Sequence, residues 1–344
     1  MKNIDLEPPG LNQKIPLPQL IPNNRTNRYF YENGHYKLIP RLTLKVHSNI
    51  EECYYLWEKF SPKKTLFDLW DFCYSWYQGL GYVPYFYTLY EGKKPVGVLP
   101  LCYDDKEDKR FEWFGCEWLE NHKFFVADNK LIDFFMKIVP TPAYLNSIAK
   151  FDEIVELAKF GKLRKERDSR NIKDISKMGS LQDYLYSLHK KNRYHLKSDY
   201  QKLVSIGARV EVIETKELSH FEELLKMNKV RFNGIERSRS YVKRYEETFR
   251  WIIKNSGVYK FKYIKVHVQN RLASIDMVIT YKNTYYPFQG SNDVYRFSGI
   301  GNFMTYIEIE DAIRSGFKLV DILQEDHGWK HKFFDQIPVY VFKK

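Results

Sequence analysis

The chain has 344 residues, of which 44% are hydrophobic and 17% aromatic, a composition that excludes a disordered protein and favours two domains. Its 55 basic and 43 acidic residues give a net charge of +12, which favours an anionic partner such as nucleic acid, an acidic membrane surface or a phosphate-bearing substrate. No segment approaches the roughly 18 uninterrupted apolar residues of a spanning helix. We therefore expect a soluble, cytoplasmic protein, with peripheral membrane contact left open. The polar, proline-rich start predicts an N-terminal arm over residues 1–40 and no secretory signal.

The cysteines and histidines predict neither disulfides nor a metal site. Four cysteines are scattered along the first half: Cys53, Cys73, Cys102 and Cys116. They form no C-x-x-C pair, which is typical of buried free thiols. His327 and His331 have the spacing of a helical metal pair, but no H-E-x-x-H motif and no third ligand accompany them.

The first half of the chain alternates helix and strand patterns. The sequence predicts a strand near 41–47, helices around 50–59 and 67–79, and strands over 83–90, 96–103 and 110–114. Glu91-Gly92-Lys93-Lys94 separates two of these strands and is a hairpin turn signal. This order predicts a hairpin-containing sheet flanked by helices.

A densely charged stretch over residues 161–173 divides the chain. It contains almost no apolar side chains, and two interpretations are open: a linker, or an exposed strand pair between domains. We therefore predict an N-terminal domain over residues 41–165 and a C-terminal domain over residues 166–344.

The order of elements recurs after this stretch. Helices are predicted over 180–206, over 217–234 and near 241–255, followed by strands over 259–268, 271–281 and 284–289. Helices followed by a hairpin and a further strand thus occur twice. The repetition predicts a duplicated α/β fold.

The most informative stretch is Tyr295–Gly301, which reads R-x-x-G-x-G from Arg296. It lies between the strand over 284–289 and a helix over 302–315, and a buried strand over 317–323 is predicted to pair in parallel with the first strand. Glycines allow the backbone to approach a ligand closely, and the N-terminus of a helix attracts anions. The stretch is therefore predicted to cradle a phosphate or pyrophosphate, as in a transferase that uses a phosphorylated carrier.

An ordered set of motifs surrounds this loop. In the second half these are Tyr285–Asp293, Ser298-Gly299, Asp311–Gly316 and Asp321–Lys330, and in the first half Thr65-Leu66-Phe67, Trp70 and Pro95–Leu101. Together they resemble the GNAT superfamily of N-acetyltransferases, in particular its CelD-like, cellulose-biosynthesis-associated branch and the neighbouring Fem-type aminoacyltransferases. Glu325 and Trp329 depart from the family pattern, where glycine and tyrosine are expected. The resemblance covers about residues 41–344 and implies an α/β protein with two tandem GNAT-like domains, the first degenerate, and mixed sheets flanked by helices.

The resemblance implies that the loop binds the pyrophosphate of coenzyme A. The donor-binding residues would be Arg296, Ser298, Gly299, Ile300, Gly301 and Asn302. The acyl group would lie between the strands over 284–290 and 317–323. Acetyl-CoA or another acyl-CoA would be the co-substrate, and no metal is implied.

Four residues are predicted to take part in the chemistry: Asp326, Lys330, Asp321 and Tyr286. Asp326 would take up a proton or bind the amine, and Lys330 would hold an anionic group or stabilise the transition state. The alternative for these two is a surface ion pair at (i, i+4). Asp321 is alternatively an N-cap or a buried hydrogen-bond acceptor. Tyr286 is either a general acid toward a leaving thiolate or a core tyrosine with a hydrogen-bonded tip.

Five residues are predicted to contact the acceptor: Gln289, Asn292, Asp293, Arg231 and Arg193. The segment that contains the first three is also ordinary turn chemistry. Arg193 belongs to a basic helical face with Lys191, Lys197 and Tyr194. That face would hold a phosphate of the acceptor or a tRNA backbone, or is simply solvated.

The predicted function is transfer of an acyl group, acetyl in the first instance, from coenzyme A to a primary amine of a small molecule or cell-envelope precursor. The closest alternative is a Fem-type aminoacyltransferase that uses aminoacyl-tRNA, which the basic charge favours and the R-x-x-G-x-G loop disfavours. The third interpretation is a non-catalytic protein that binds an anionic polymer.

Overall fold

The protein is an α/β structure in the computed structural model, which describes residues 29–32, 35–38, 42–115, 119–151, 154, 155, 157, 163–231 and 243–344. The elements of the first half are β1 (Tyr29–Glu32), β2 (His35–Leu38), β3 (Leu42–His47), α1 (Ile50–Phe60), α2 (Trp70–Leu80), β4 (Val83–Glu91), β5 (Lys94–Asp104), β6 (Arg110–Trp113), β7 (Phe125–Val126), α3 (Leu131–Ile138) and β8 (Tyr144–Ile148). Most of the predicted arm and Cys116 lie outside the described residues.

The elements of the second half follow the predicted order. They are β9 (Arg164–Asp174), α4 (Leu181–Ser187), α5 (Lys190–Ser205), β10 (Arg209–Glu214), α6 (Leu218–Arg231), α7 (Lys243–Lys254), β11 (Lys260–Val268), β12 (Arg271–Tyr281), β13 (Thr284–Asn292), α8 (Ile300–Arg314), β14 (Leu319–Asp321) and β15 (Asp335–Lys343). Short 3-10 helices occupy Leu66–Asp68 and Lys330–Lys332. Residues 232–242 contain the end of the helix predicted over 217–234 and the start of the helix predicted near 241–255, and they lie outside the described residues.

The predicted helix over 180–206 is two helices. Ser180 and Asp183 form a capping box that begins α4. The helix stops at Leu188, whose ψ of 152° is extended. A ring nitrogen of His189 then accepts a backbone N–H and begins α5. Buried Leu188 therefore anchors a bend that helical periodicity alone does not reveal.

The first half forms an antiparallel five-stranded sheet in the order β3-β4-β5-β6, with β7 paired to β5. The turn between β4 and β5 falls at Gly92, so the predicted hairpin is confirmed. The second sheet has eight strands in the order β10-β11-β12-β13-β14-β9-β15-β8. Because β8 precedes the charged stretch yet pairs with β15, the first half contributes a strand to the second sheet.

Within the charged stretch, residues 164–173 form a single strand, which corrects both earlier interpretations, a linker and an exposed strand pair. β9 lies inside the eight-stranded sheet, pairing Ile172 with Asp321 of β14 and Arg170 with Ile337 of β15. Most of its side chains are exposed or half-buried. The strand therefore needs few apolar residues, and its backbone is satisfied by a neighbour on each side.

The predicted parallel pairing across the α8 crossover is confirmed, but it is short. Thr284 pairs with Leu319 and Tyr285 with Val320, and the pairing of β13 with β14 ends there. β13 continues over residues 286–292, which no described strand covers on the β14 side. We call this segment the open edge. Unpaired N–H and C=O groups of a strand edge can pair with an extended ligand.

One of three hydrophobic clusters in the described part of the chain spans both of its halves. A cluster of buried residues joins α1 and α2 to α6, α7 and one face of β11–β13. Within it, Phe67 meets Tyr286 edge to face, with ring centroids 6.0 Å apart. A second cluster lies beneath α4, α5 and α8, and a third lies between the first sheet and α3. The second sheet is therefore covered on both faces.

Three of the four cysteines fall within the described residues: Cys53, Cys73 and Cys102. All three are buried free thiols, which confirms the prediction for them. None of the described helices is long and apolar enough to cross a bilayer.

α2 and α7 pack so closely at Gly79 that a larger residue there is expected to lower the stability of the protein. A Cβ at Gly79 would lie 2.6 Å from Thr248 Cβ and 2.7 Å from its Cα, so Gly79→Ala forces the helices apart. We expect a loss of about 1–3 kcal/mol in the free energy of unfolding, measured by chemical denaturation. The control is Gly301→Ala, whose Cβ would have nothing within 4 Å. Equal stability of both variants would contradict close packing at this interface.

Candidate functional site

The predicted anion cradle lies at the start of α8, where Gly299 is the N-cap residue with a φ of 91°. This left-handed conformation favours glycine. A Cβ at this position would lie 2.6 Å from Asp199 Oδ1 on α5. The first N–H groups of a helix also lack carbonyl partners within it. Gly299 is therefore required both by its backbone conformation and by the close approach of α5.

Two carboxylates already contact the cradle. Arg296, whose side chain is 65% exposed, pairs with Asp293 at 3.2 Å. Asn302 Nδ2 donates to Asp199 Oδ2 at 2.6 Å. These contacts hold the loop in place, but their negative charges oppose the attraction of the helix N-terminus for another anion.

The other loop residues differ in accessibility. Ser298 is exposed, and its carbonyl accepts a hydrogen bond from Lys202 Nζ at 3.4 Å. Ile300 is fully buried in the core beneath α8. Gly301 is exposed and open on the side where a Cβ would lie. The loop is thus anchored by Ile300 and exposes backbone on either side of it.

A β-bulge shapes the open edge. Met277 of β12 pairs with Gln289 and Val278 pairs with Pro287, which leaves Phe288 as the extra residue. Bulges turn backbone groups away from the regular ladder and are frequent beside functional sites. The irregular backbone therefore falls within the part of β13 that β14 leaves uncovered.

The predicted acceptor residues are only partly brought together. Gln289 and Asn292 lie on the open edge, and Asn292 Oδ1 accepts from Ser274 Oγ at 2.5 Å. Arg231 ends α6, and its charge acts on the carboxyl group of Asp276 in β12. Arg193 lies on α5, with its guanidinium 5.1 Å from the centroid of a tyrosine ring on α4.

Asp321, at the end of β14, is placed as a buried hydrogen-bond acceptor. Arg170 Nε and Nη2 donate to its Oδ2 at 2.9 and 2.5 Å, and the N–H of Leu323 donates to Oδ1 at 3.2 Å. Beside it, Glu120 accepts the N–H of Gln324 at 2.8 Å. Burial and the charge of Asp321 raise the pKa of Glu120 to about 8. This end of β14 is therefore a dense and mostly buried ionic cluster.

The side chains of Asp326 and Lys330 bond to different partners and do not form the (i, i+4) ion pair that was the alternative interpretation. Asp326 accepts the N–H of His331 at 2.9 Å and its Nδ1 at 2.5 Å. Burial raises the pKa of Asp326, but these hydrogen bonds outweigh burial and hold the pKa below its usual value. Lys330 Nζ donates to the carbonyls of Ile322, at 2.5 Å, and Gln324, and burial lowers the pKa of Lys330. Lys330 thus closes the chain that follows β14.

Tyr286 lies at the contact between the two halves. It is fully buried, and its hydroxyl accepts the N–H of Leu66 at 3.3 Å. Burial raises the pKa of Tyr286 above its usual value. Its neighbour Tyr285 faces the opposite side, where its hydroxyl donates to Asp311 of α8 at 3.0 Å. The structure therefore places Tyr286 as a core tyrosine with a hydrogen-bonded tip.

The structure also brings together two carboxyl groups that sequence analysis missed. Asp276 of β12 and Glu308 of α8 are hydrogen-bonded to each other between the helix and the sheet. A Cβ at Gly290 of the open edge would lie 2.5 Å from Asp276 Oδ1, so this carboxyl group rests directly on β13. The available signal was an acidic residue inside each of two apolar runs, Ile275-Asp276-Met277 and Ile307-Glu308-Ile309.

Burial governs the titration of this carboxyl pair. It raises the pKa of Asp276 to about 6, while the hydrogen bond from Glu308 and the charge of Arg231 limit the rise. Burial, followed by the charge of Asp276, raises the pKa of Glu308 well above its usual value. Because two adjacent buried carboxyl groups do not ionise together, the pair retains a proton near neutral pH.

One group of carboxylates in the described residues has spacing suited to a cation. Asp104, Asp108 and Glu112 have oxygens within 4.8 Å of one another. Asp104 already accepts three backbone N–H groups of the following turn. Arg110 pairs with Asp108 at 2.8 Å and with Glu112 at 2.7 Å. The arginine and the turn therefore satisfy this group without a metal.

Comparisons with known proteins bear on the fold. No protein-family model and no curated protein matches the chain. Among solved structures, FemX aligns with a TM-score of 0.52 and 13% identity over 87% of this chain and 97% of its own. A tandem GNAT protein from the clavulanic acid biosynthesis pathway aligns with a TM-score of 0.53 and 11% identity, over 88% of this chain and 97% of its own. L-PGS from Bacillus licheniformis aligns with a TM-score of 0.52 and 10% identity, over 80% of this chain and 92% of its own.

At these identities the similarity establishes the fold alone. The predicted fold class is confirmed: mixed α/β sheets flanked by helices, with the architecture of a tandem GNAT protein. The CelD-like branch stays a prediction. The chain therefore has the GNAT fold, and its activity must be inferred from its own residues.

Proposed function

We propose that this protein is an N-acyltransferase that moves an acyl group, acetyl in the simplest case, from coenzyme A to a primary amine of a small molecule or cell-envelope precursor. The observation that carries the proposal is the order of the open edge, the glycine loop and the N-terminus of α8 along one segment. A carrier with an extended amide-bearing arm and a pyrophosphate fits this order of backbone edge and anion cradle.

The glycine loop would hold the phosphates of the donor. The N–H groups of Gly299, Gly301 and Asn302 would provide hydrogen-bond donors, while that of Ile300 already donates to the carbonyl of Phe297 at 3.1 Å. Arg296 would exchange Asp293 for a phosphate. The loop fits such a group in one respect: Gly299 places no side chain over the N-terminus of α8, and a Cβ there would collide with Asp199. When bound, the donor supplies a thioester carbonyl, and the backbone of the open edge, which no described strand covers on the β14 side, would orient the arm that carries it.

The charged residues around β14 would shape the rest of the site. Lys330 is held by two backbone carbonyls at the chain that follows the strand, where its charge can orient an anionic group. Asp321 and Asp326 are held by Arg170 and His331, so their main contribution would be to position this chain. In this proposal residues 166–344 bind the donor, and residues 41–165 form a degenerate domain of the CelD-like type that supports them.

Aminoacyl transfer from tRNA is the second candidate, favoured by the carboxylates at the cradle. Asp199 and Asp293 disfavour a free pyrophosphate there, and an aminoacyl-tRNA donor would not need that site. Exposed Lys191 and Lys197 lie on α5 near Tyr194, whose side chain is 67% exposed and suited to base stacking. Binding of an anionic polymer without catalysis would use the same helix face.

Titration calorimetry with acetyl-CoA tests the main proposal. Wild-type protein is expected to bind, Arg296→Ala to bind about five- to tenfold more weakly, and Gly299→Asp not to bind, because the last change adds a negative charge beside Asp199. Arg314→Ala is the matched control, since Arg314 pairs with an aspartate three residues earlier at 3.5 Å and is 72% exposed. Its affinity should be unchanged.

Two outcomes would contradict the proposal. Wild-type protein that binds neither acetyl-CoA nor any longer acyl-CoA would exclude a coenzyme A donor. If aminoacyl-tRNA then binds with steep salt dependence and Lys191→Ala with Lys197→Ala weakens it, the second candidate replaces the first.

The carboxylate of Asp199 is expected to weaken donor binding. Asp199→Asn keeps a side chain of the same shape and removes one negative charge beside the N-terminus of α8, so affinity for acetyl-CoA should rise about two- to fivefold. The gain should shrink in high salt, because screening weakens exposed charges. Glu310→Gln removes one charge from an exposed site on the same helix and should change little. A lower affinity of Asp199→Asn would show that Asp199 supports the cradle instead.

A further inference from the structure

We propose that Asp276 and Glu308 form the amine site of this protein: they bind the acceptor as a primary ammonium ion and take up its proton. The inference rests on the proposed acyl transfer and names the substrate class, a cationic amine whose charged end enters between α8 and β13. It also names the proton acceptor.

The position of the pair supports this role. Asp276 rests on Gly290, inside the open edge, and Glu308 reaches it from the helix whose N-terminus forms the cradle. The pair therefore lies beside the stretch of β13 that β14 leaves uncovered and next to the bulge at Phe288. An acyl carrier aligned on this edge would bring its carbonyl to the side of the strand that the carboxyl groups occupy.

The hydrogen bonding of the pair is incomplete. Asp276 Oδ1 and Glu308 Oε1 are buried and have no hydrogen-bond partner among the described atoms. Buried acceptors without a donor are uncommon, because each costs free energy. Glu308 is 6% exposed, whereas Asp276 is half-buried and gives access to the pair. An ammonium group carries three N–H donors and one positive charge, which match two unfilled acceptors that share a negative charge.

A second carboxylate on the same helix shows the contrast. Asp311 lies one turn beyond Glu308 and is satisfied by the protein itself. Lys262 Nζ lies 3.1 Å from Asp311 Oδ2, and the hydroxyl of Tyr285 donates to the same oxygen at 3.0 Å. The described ion pairs give Asp276 and Glu308 no such lysine. Lys262 supplies the positive charge beside Asp311. At Asp276 and Glu308 we infer that a bound cation supplies it.

Charged groups reach the pair from each neighbouring element. Asp311 on α8 adds negative charge, while Arg231 of α6 and Lys330 beyond β14 add positive charge at a distance. On β13, the backbone N–H of Ser291 donates a hydrogen bond to Asp276. Above about pH 6, the pKa of Asp276, the pair therefore holds one proton and one negative charge while a primary amine in water is still protonated.

The proposed step balances as follows. The bound ammonium ion gives one proton to the carboxyl pair, and the neutral amine nitrogen forms a bond to the thioester carbonyl carbon. The C–S bond breaks and its electron pair leaves with sulfur, which takes the second nitrogen-bound proton to become the thiol. The proton on the carboxyl pair then passes to water. The products are an amide, coenzyme A thiol and one proton.

Thermal unfolding with small amines tests the binding step on the full-length protein. Ethylammonium is expected to raise the Tm of wild-type protein, whereas tetramethylammonium, which has no N–H donor, should not. Asp276→Asn and Glu308→Gln should weaken the ethylammonium effect at least tenfold in apparent affinity. Glu310→Gln is the matched control because it removes one carboxylate from an exposed position on the same helix. The assignment would be overturned if ethylammonium did not raise the Tm of wild-type protein, or if it raised the Tm of wild-type protein and of all variants equally.

Acetyl-CoA binding separates this inference from the proposed function. Asp276→Asn and Glu308→Gln should both bind acetyl-CoA as wild-type protein does. Their kcat/KM for thiol release with ethylamine should fall at least tenfold. In wild-type protein kcat/KM should rise with pH as Asp276 loses its proton near pH 6 and Glu308 keeps its own, and Asp276→Asn should lose that inflection. Normal turnover in both variants would overturn the amine site and leave acyl transfer standing. Failure of wild-type protein to bind acyl-CoA would instead overturn the proposed function.

Stability measurements distinguish this role from a structural one. Folding raises the pKa of both carboxyl groups, so the folded protein binds more protons than the unfolded chain. The contribution of the pair is therefore largest below about pH 4. The part due to Asp276 is lost as pH rises through about 6, its pKa, and the part due to Glu308 is lost at higher pH. Glu308→Gln should flatten this loss and match or exceed wild-type Tm at pH 8. A pair kept for structure would lose stability on substitution at every pH.

Discussion

The site depends on the point at which β14 stops pairing with β13. β14 is only three residues long, and Arg170 with Asp321 forms a buried ion pair that fixes it against β9 on the other side. Losing one partner of such a pair leaves an uncompensated buried charge, which makes the position of β14 hard to change. With β14 held there, β13 has only two register pairs with it. The rest of β13 keeps an open backbone edge.

One helix then organises the polar groups along that edge. α8 carries Asn302 in its first turn against Asp199, Glu308 in its middle against Asp276, and Asp311 near its end against Lys262. Anion cradle, carboxyl pair and internal ion pair thus follow one another along the same helix. The first half of the chain supports the opposite face of the sheet through the shared core, where Tyr286 bonds to the backbone of Leu66.

Local pattern predicted most of the fold. The bounds of β12 and the parallel contact of β13 with β14 follow from alternating apolar residues, turn signals and a crossover helix, all of which act over a few residues. The pattern failed where distant segments decided the outcome. β9 is a strand because β14 and β15 pair with it on both sides, although its sequence has almost no apolar face. The break at Leu188 likewise reflects burial by tertiary contacts.

For the site, the sequence by itself determined the glycine loop, since a left-handed turn before a helix restricts which residues fit at Gly299. It also determined that Asp321 ends a buried strand and that Lys330 follows it. Only the tertiary structure decided their partners, and it divided residues that the sequence had grouped as catalytic. The carboxyl pair of Asp276 and Glu308 arises solely from packing α8 on the sheet. Hydrogen bonding and pKa values depend on groups that are close in space, whereas sequence patterns report only neighbours along the chain.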